Sequence, residues 1–80
     1  MKLPRSLSGE ELIQKLKKFG YKPTRQLGSH IRLTTYLKEE HHITVPNHNP
    51  LRIGTLYSIL KNVASHLQIS KDELLDQLFK

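Results

Sequence analysis

Eight consecutive residues, His30-Ile-Arg-Leu-Thr-Thr-Tyr-Leu37, alternate without a break. Ile31, Leu33, Thr35 and Leu37 fall on one side, and His30, Arg32, Thr34 and Tyr36 on the other. A period of two with one apolar side defines a half-buried strand. The apolar side must be covered, and the polar side stays in water. The chain has 80 residues, room for one domain spanning 1–80. The cover must therefore come from the apolar residues on either side of this strand.

Those residues sit at helical spacing. Ser8-Gly-Glu-Glu11 matches a capping box, with Ser8 as the N-cap and Glu11 three positions in. Leu12, Ile13, Leu16 and Phe19 follow as one stripe, and Gly20 is a stop signal, so a helix is predicted over 9–19. Lys15, Lys17 and Lys18 take its wet face and last turn. Residues 1–7 read as an extended lead-in. Beyond the central strand, Ile53, Leu56, Tyr57, Leu60 and Val63 predict a second helix over roughly 53–66. Ser70-Lys-Asp-Glu73 is a second capping box and opens a short terminal helix with Leu74, Leu75, Leu78 and Phe79.

Two flanking segments complete a sheet. Tyr21 to Leu27 is a strand that Pro23 confines to an edge, because proline cannot donate to a ladder. Gly28-Ser29 is a turn. His41 to Val45 is a third strand with Ile43 and Val45 inward and His42 and Thr44 outward. Connections this short favour an antiparallel meander. The expected architecture is α+β, in the order α-β-β-β-α with one extra short helix. An antiparallel three-stranded sheet with helices on one face leaves His30, Arg32, His42 and Thr44 on the open face. That layering is double-stranded-RNA-binding-like.

Composition narrows the function. Thirteen Lys and Arg against seven Asp and Glu give a net charge of +6. Such an excess points to polyanions: nucleic acid first, an anionic membrane second, an acidic protein third. No cysteine is present, which excludes disulfide staples, thiolate metal sites and cysteine nucleophiles and suits a reducing cytoplasm. No apolar run approaches a membrane span, and the first residues lack the apolar region of a signal peptide.

Five histidines stand in the chain: His30, His41, His42, His48 and His66. His41 and His42 are neighbours on a strand and point to opposite faces, so they do not readily share an ion. No carboxylate stands at a recognised ligand spacing. The expectation is no metal and no cofactor. No Gly-rich phosphate loop and no Ser–His–Asp arrangement can be argued. His30 opens the central strand on the open side with Arg32 two residues on. An imidazole beside a guanidinium is a workable pair for proton transfer and phosphate clamping. RNA supplies its own nucleophile, the 2′-hydroxyl. The plain alternative is a solvated surface histidine. Lys22 and Arg25 on the first strand, with Arg32 and the turn residue Ser29, are the expected RNA contacts.

The stretch Lys17-Lys18-Phe19-Gly20-Tyr21, then Arg25-Gln-Leu-Gly-Ser-His-Ile-Arg-Leu33, is similar to the HicA, or YcfA-like, toxin family. So are His41-His-Ile-Thr-Val-Pro-Asn-His48 and Gly54-Thr-Leu56. The resemblance runs over about residues 3–61, and the combination is specific where single pieces are not. It implies a double-stranded-RNA-binding-like fold and an mRNA-cleaving toxin of a type II toxin–antitoxin pair. It also implies cleavage without ribosome or metal, the G-S-H histidine, here His30, as the catalytic residue, and a HicB antitoxin covering the active face. The chain departs from many members beyond Leu60, where the ending is longer, and at Leu27, where a polar or charged residue is common.

The expected function is a metal-independent endoribonuclease acting on mRNA, monomeric alone and hetero-oligomeric with its antitoxin. The competing reading is a non-catalytic RNA-binding module, or a remnant that only binds its antitoxin. A DNA-binding regulator is weaker, since no helix-turn-helix spacing is present.

Overall fold

The computed structural model describes Pro4 and residues 6–79; the first part of the expected lead-in, 1–3 and 5, lies outside the described residues. The elements are α1 (Gly9–Leu16), a 3-10 turn (Lys17–Phe19), β1 (Lys22–Leu27), β2 (His30–Thr35), β3 (His41–Pro46), α2 (Ile53–Leu67) and α3 (Lys71–Phe79). The α-β-β-β-α order of an α+β fold is present, and the extra helix is α3. No helix among the described residues is long and apolar enough to cross a membrane.

Helix α1 begins where its capping box requires. The Glu11 N–H donates to Ser8 Oγ at 3.0 Å, and the Ser8 N–H donates to a Glu11 carboxylate oxygen at 2.9 Å. Two of the four orphan donors of a helix start are thereby satisfied. The bond to Ser8 holds the Glu11 carboxyl below its ordinary range. The α-helix tightens into a 3-10 turn and ends at Gly20, whose φ of +81° suits glycine. A side chain there would also meet Thr35 Oγ1 at 2.8 Å. At the start of α3, Ser70 Oγ accepts from the Glu73 N–H at 3.0 Å.

The sheet has the order β1-β2-β3, all antiparallel. β1 is an edge, as Pro23 demands, and its register shifts by a bulge between Pro23 and Arg25. Leu33, Ile43 and Val45 face the helices and are buried with Leu12 and Leu16 of α1, Leu56, Leu60 and Val63 of α2, and Leu74 and Leu75 of α3. Helices cover one face only, which leaves the other open. Tyr21, just before β1, is fully buried in this core.

Two expectations are corrected. Leu37 was expected inward, but it is 49% exposed, because β2 ends at Thr35 and the chain turns away through Lys38 at φ +71°. Thr34 lies on the open face yet is only 4% exposed, since Thr24 and His42 close over it through hydrogen bonds. Lys15, Lys17 and Lys18 are exposed on the wet side, as expected, and two of them also make contacts beyond their own helix. Lys15 Nζ stands 5.4 Å from the Phe79 ring centroid, and Lys18 Nζ donates to the Gln77 carbonyl at 2.5 Å, so both tie this helix to α3. Lys38 is likewise engaged, donating to the Leu67 carbonyl at the end of α2 at 2.7 Å.

Candidate nucleic-acid interface and catalytic histidine

His30 owes its position to the hairpin that precedes it. Leu27 and His30 are directly paired across the two-residue connection Gly28-Ser29. Gly28 has φ +59°, and glycine in the first central position is what a type II′ hairpin turn asks for. The Gln26 side-chain amide donates to the Gly28 carbonyl at 3.0 Å. The Ser29 carbonyl accepts from the Asn47 N–H at 2.6 Å, which joins the turn to the loop after β3. That loop is held in turn by the Gly9 N–H donating to the His48 carbonyl at 2.9 Å. The start of α1, the β3–α2 loop and the hairpin thus brace one end of the sheet.

At that end the open face forms a shallow depression of about 250 Å³ lined by Arg25, Leu27, His30, Arg32 and Thr44. His30, Arg25 and Arg32 are exposed. Among the described residues the His30 imidazole makes no hydrogen bond or ion pair. Arg25 and Arg32 are paired directly across β1 and β2. Like charges facing each other across strands repel, and the one ion pair among the described residues, His42 with Glu40, involves neither arginine. Two guanidiniums with no carboxylate between them form a ready anion site, and both are shaped for bidentate contact with phosphate.

A second depression adjoins the first and shares Arg25 and Arg32 with it, adding Thr24, Thr34, Tyr36, Glu40 and His42. A chain of hydrogen bonds runs through it. Thr24 Oγ1 meets Thr34 Oγ1 at 2.9 Å, Thr34 Oγ1 meets His42 Nδ1 at 2.8 Å, and His42 Nε2 meets a Glu40 carboxylate oxygen at 2.7 Å. An ionised carboxylate only accepts, so Nε2–H of His42 is the donor. While His42 is neutral, Nδ1 then accepts from the Thr34 hydroxyl. This hydroxyl–imidazole–carboxylate arrangement was not legible in the sequence. It does not offer a nucleophile, because Thr34 is buried, and both nitrogens of His42 are occupied.

The other histidines are differently placed. His41 faces the covered side, with Nδ1 at 2.8 Å from the Tyr21 hydroxyl and its ring stacked on that of His66 at 4.2 Å between centroids. Burial, then the neighbouring His66, pushes the His41 imidazole below its ordinary value. Burial pushes the Tyr21 phenol up to about 12. His66 Nε2 donates to the Leu37 carbonyl at 3.0 Å. Among the described residues no three His, Asp or Glu side chains converge where a metal ion could sit.

Of the residues singled out from the sequence, His30, Arg25 and Arg32 are brought together. Lys22 is not with them: it pairs with Thr34 and lines a separate depression with Tyr36 and Leu37. Ser29 lines none of these depressions. Leu27, to which no role was attached, is 65% exposed and forms a wall beside His30. The signal for it was present, since a two-residue turn places the residues on either side of it opposite each other.

The family model described as HicA toxin of bacterial toxin-antitoxin matches residues 9–64, from the start of α1 to well inside α2. α3 lies beyond the match. No curated protein and no solved structure matches the chain significantly. With more than half of its length covered, including every strand and the whole of the His30 depression, the chain belongs to the HicA toxin family of bacterial toxin–antitoxin systems.

Proposed function

We propose that this toxin is a metal-independent endoribonuclease that cleaves mRNA, with His30 as its catalytic residue, and that a HicB-like antitoxin silences it by covering the open face. The observation that carries this reading is the placement of His30, exposed and without a partner among the described residues, beside two guanidiniums that face each other with no acid between them.

The chemistry needs few parts. His30 takes the proton from a ribose 2′-hydroxyl, and the freed oxygen attacks the adjacent phosphorus. The bond from phosphorus to the 5′-oxygen breaks, and the departing oxygen takes a proton from the imidazolium or from water. The products are a 2′,3′-cyclic phosphate and a 5′-hydroxyl. Negative charge builds on the phosphoryl oxygens along the way, where Arg25 and Arg32 stabilise it. The substrate carries the nucleophile and the arginines carry the positive charge, so no step calls on a metal.

One experiment tests the assignment. Purified wild type and His30→Ala are incubated with labelled single-stranded RNA, with and without chelator. A positioned acid–base residue contributes on the order of 10²–10⁴-fold, so the variant should cleave at least 100-fold more slowly with unchanged melting temperature. Chelator should leave the wild type active. Undiminished cleavage by His30→Ala overturns the assignment. Salt-dependent binding without any cleavage by the wild type leaves only an RNA-binding module.

A further inference from the structure

We propose that the end of the open face remote from His30 is a nucleobase subsite: Tyr36 stacks one base of the bound single strand, and Glu40, held by His42, reads that base's edge. This rests on the nuclease reading for its biological role, but its own support is separate. Tyr36 is 72% exposed, the most exposed of the large apolar side chains among the described residues. A tyrosine ring left in water on a cationic face is a stacking platform of the kind that single-stranded RNA modules use.

Its surroundings fit that use. Tyr36 shares one depression with Arg25, Arg32, Glu40 and His42. The two arginines are common to this depression and to the one containing His30. A strand of RNA crossing the face therefore meets the imidazole, the guanidiniums and the tyrosine in that order. Tyr36 lies six positions after His30, roughly 20 Å at the rise of an extended chain. The base on Tyr36 is thus a few nucleotides from the bond that His30 would cut, and gripping it sets the register of cleavage.

Glu40 supplies the discrimination. One of its carboxylate oxygens accepts from His42 at 2.7 Å, which fixes the group. The other oxygen remains an acceptor. A carboxylate favours a base edge with N–H donors. Guanine offers two adjacent donors, N1–H and the 2-amino group, and fits best. Uracil has a single N–H between two carbonyl oxygens, which the carboxylate repels, and fits worst. His42 is a positioning residue in this scheme, aligned by Thr34 and Thr24 behind it.

The test separates this proposal from the nuclease reading. In a His30→Ala background, which leaves RNA intact, anisotropy measures binding of two labelled hexanucleotides, one all uracil and one with a single guanine. Tyr36→Ala should weaken binding of the guanine-containing strand roughly 5- to 150-fold, the worth of one stacked base, and Tyr36→Phe should restore it. Glu40→Gln should erase the preference for guanine, and in an otherwise wild-type protein it should shift the map of cleavage sites. Unchanged affinity in Tyr36→Ala, together with an unchanged cleavage map in Glu40→Gln, overturns the subsite even if the protein cleaves RNA. Failure of the wild type to cleave, with binding still dependent on Tyr36, overturns the nuclease reading and upholds the subsite.

Discussion

His30 and His41 sit at opposite ends and on opposite faces of one small sheet, and the protein treats them in opposite ways. His41 is half-buried, hydrogen-bonded to Tyr21 and stacked on His66. His30 is exposed and, among the described residues, has no partner. The contrast extends to the charges around them. On the covered side even lysines reach carbonyl acceptors at helix ends, as Lys18 and Lys38 do. On the open side Arg25 and Arg32 face each other with no acid between them. Polar groups that serve the fold are satisfied within it. Groups left unsatisfied on an exposed surface cost the fold little and stay available to an outside anion.

The sharpest way to break this comparison uses two neighbours on β2. Leu33 is fully buried, and Leu33→Ala should cost about 2–5 kcal/mol through lost burial and the cavity left behind. Arg32, one residue earlier, points the other way. Arg32→Ala should change stability by no more than about 0.5 kcal/mol, and removing one of two facing cations favours the fold. Cleavage of RNA should fall at least tenfold in the same variant. Urea unfolding and a cleavage assay on both proteins check this. Equal destabilisation by the two substitutions would mean that Arg32 belongs to the scaffold and not to a binding surface.

The same two faces explain what could be read in advance. The alternation from His30 to Thr35 commits both faces of β2, and the capping box at Ser8 commits the start of α1, because these signals are local and depend on period and on one side-chain hydrogen bond. Their consequence, an open face carrying His30, Arg25 and Arg32, follows from the turn at Gly28. What was not legible is what depends on register and on distant contacts. The cross-strand pairing of Lys22 with Thr34, which lies beyond the regular register set by the turn, depends on a bulge next to Pro23. The Thr24–Thr34–His42–Glu40 chain joins three strands and a turn. Leu37 continues the apolar alternation and yet lies outside, because the strand stops before it. Alternation states which side a residue would face and not where the strand ends.

Reversing a charge sharpens the comparison on its open side. In Arg32→Glu the new carboxylate faces Arg25 across the strands and satisfies it, so the anion site is consumed from within. The fold should be as stable as the wild type, and cleavage should drop further than in Arg32→Ala. An inhibitor that covers a cationic face is expected to be acidic there, so binding of the antitoxin should weaken at least tenfold, chiefly through a slower, less salt-dependent association. Surface-binding kinetics at two salt concentrations measure this. Unchanged antitoxin affinity would place inhibition elsewhere, with α3 the first surface to examine.

The smallest effect belongs to the covered side and concerns pH. The fold favours neutral His41, because burial and then the facing His66 disfavour its charge, while Asn62 and Glu39 pull the other way and His42 adds to the repulsion. A depressed value in the fold means that the unfolded chain binds the proton more readily, so stability rises with pH across the gap. The contribution is complete above about 6.5, the ordinary histidine value, and is lost as pH falls from there through the depressed value. Glu11 is also held low, but its contribution persists until pH drops below about 4.5, below the interval from pH 7 to 5 that reports on His41. Urea midpoints across that interval should fall in the wild type, and His41→Gln, unable to titrate, should flatten the slope while lowering stability at pH 7. A slope unchanged in His41→Gln would mean that the burial of this imidazole does not set the pH dependence.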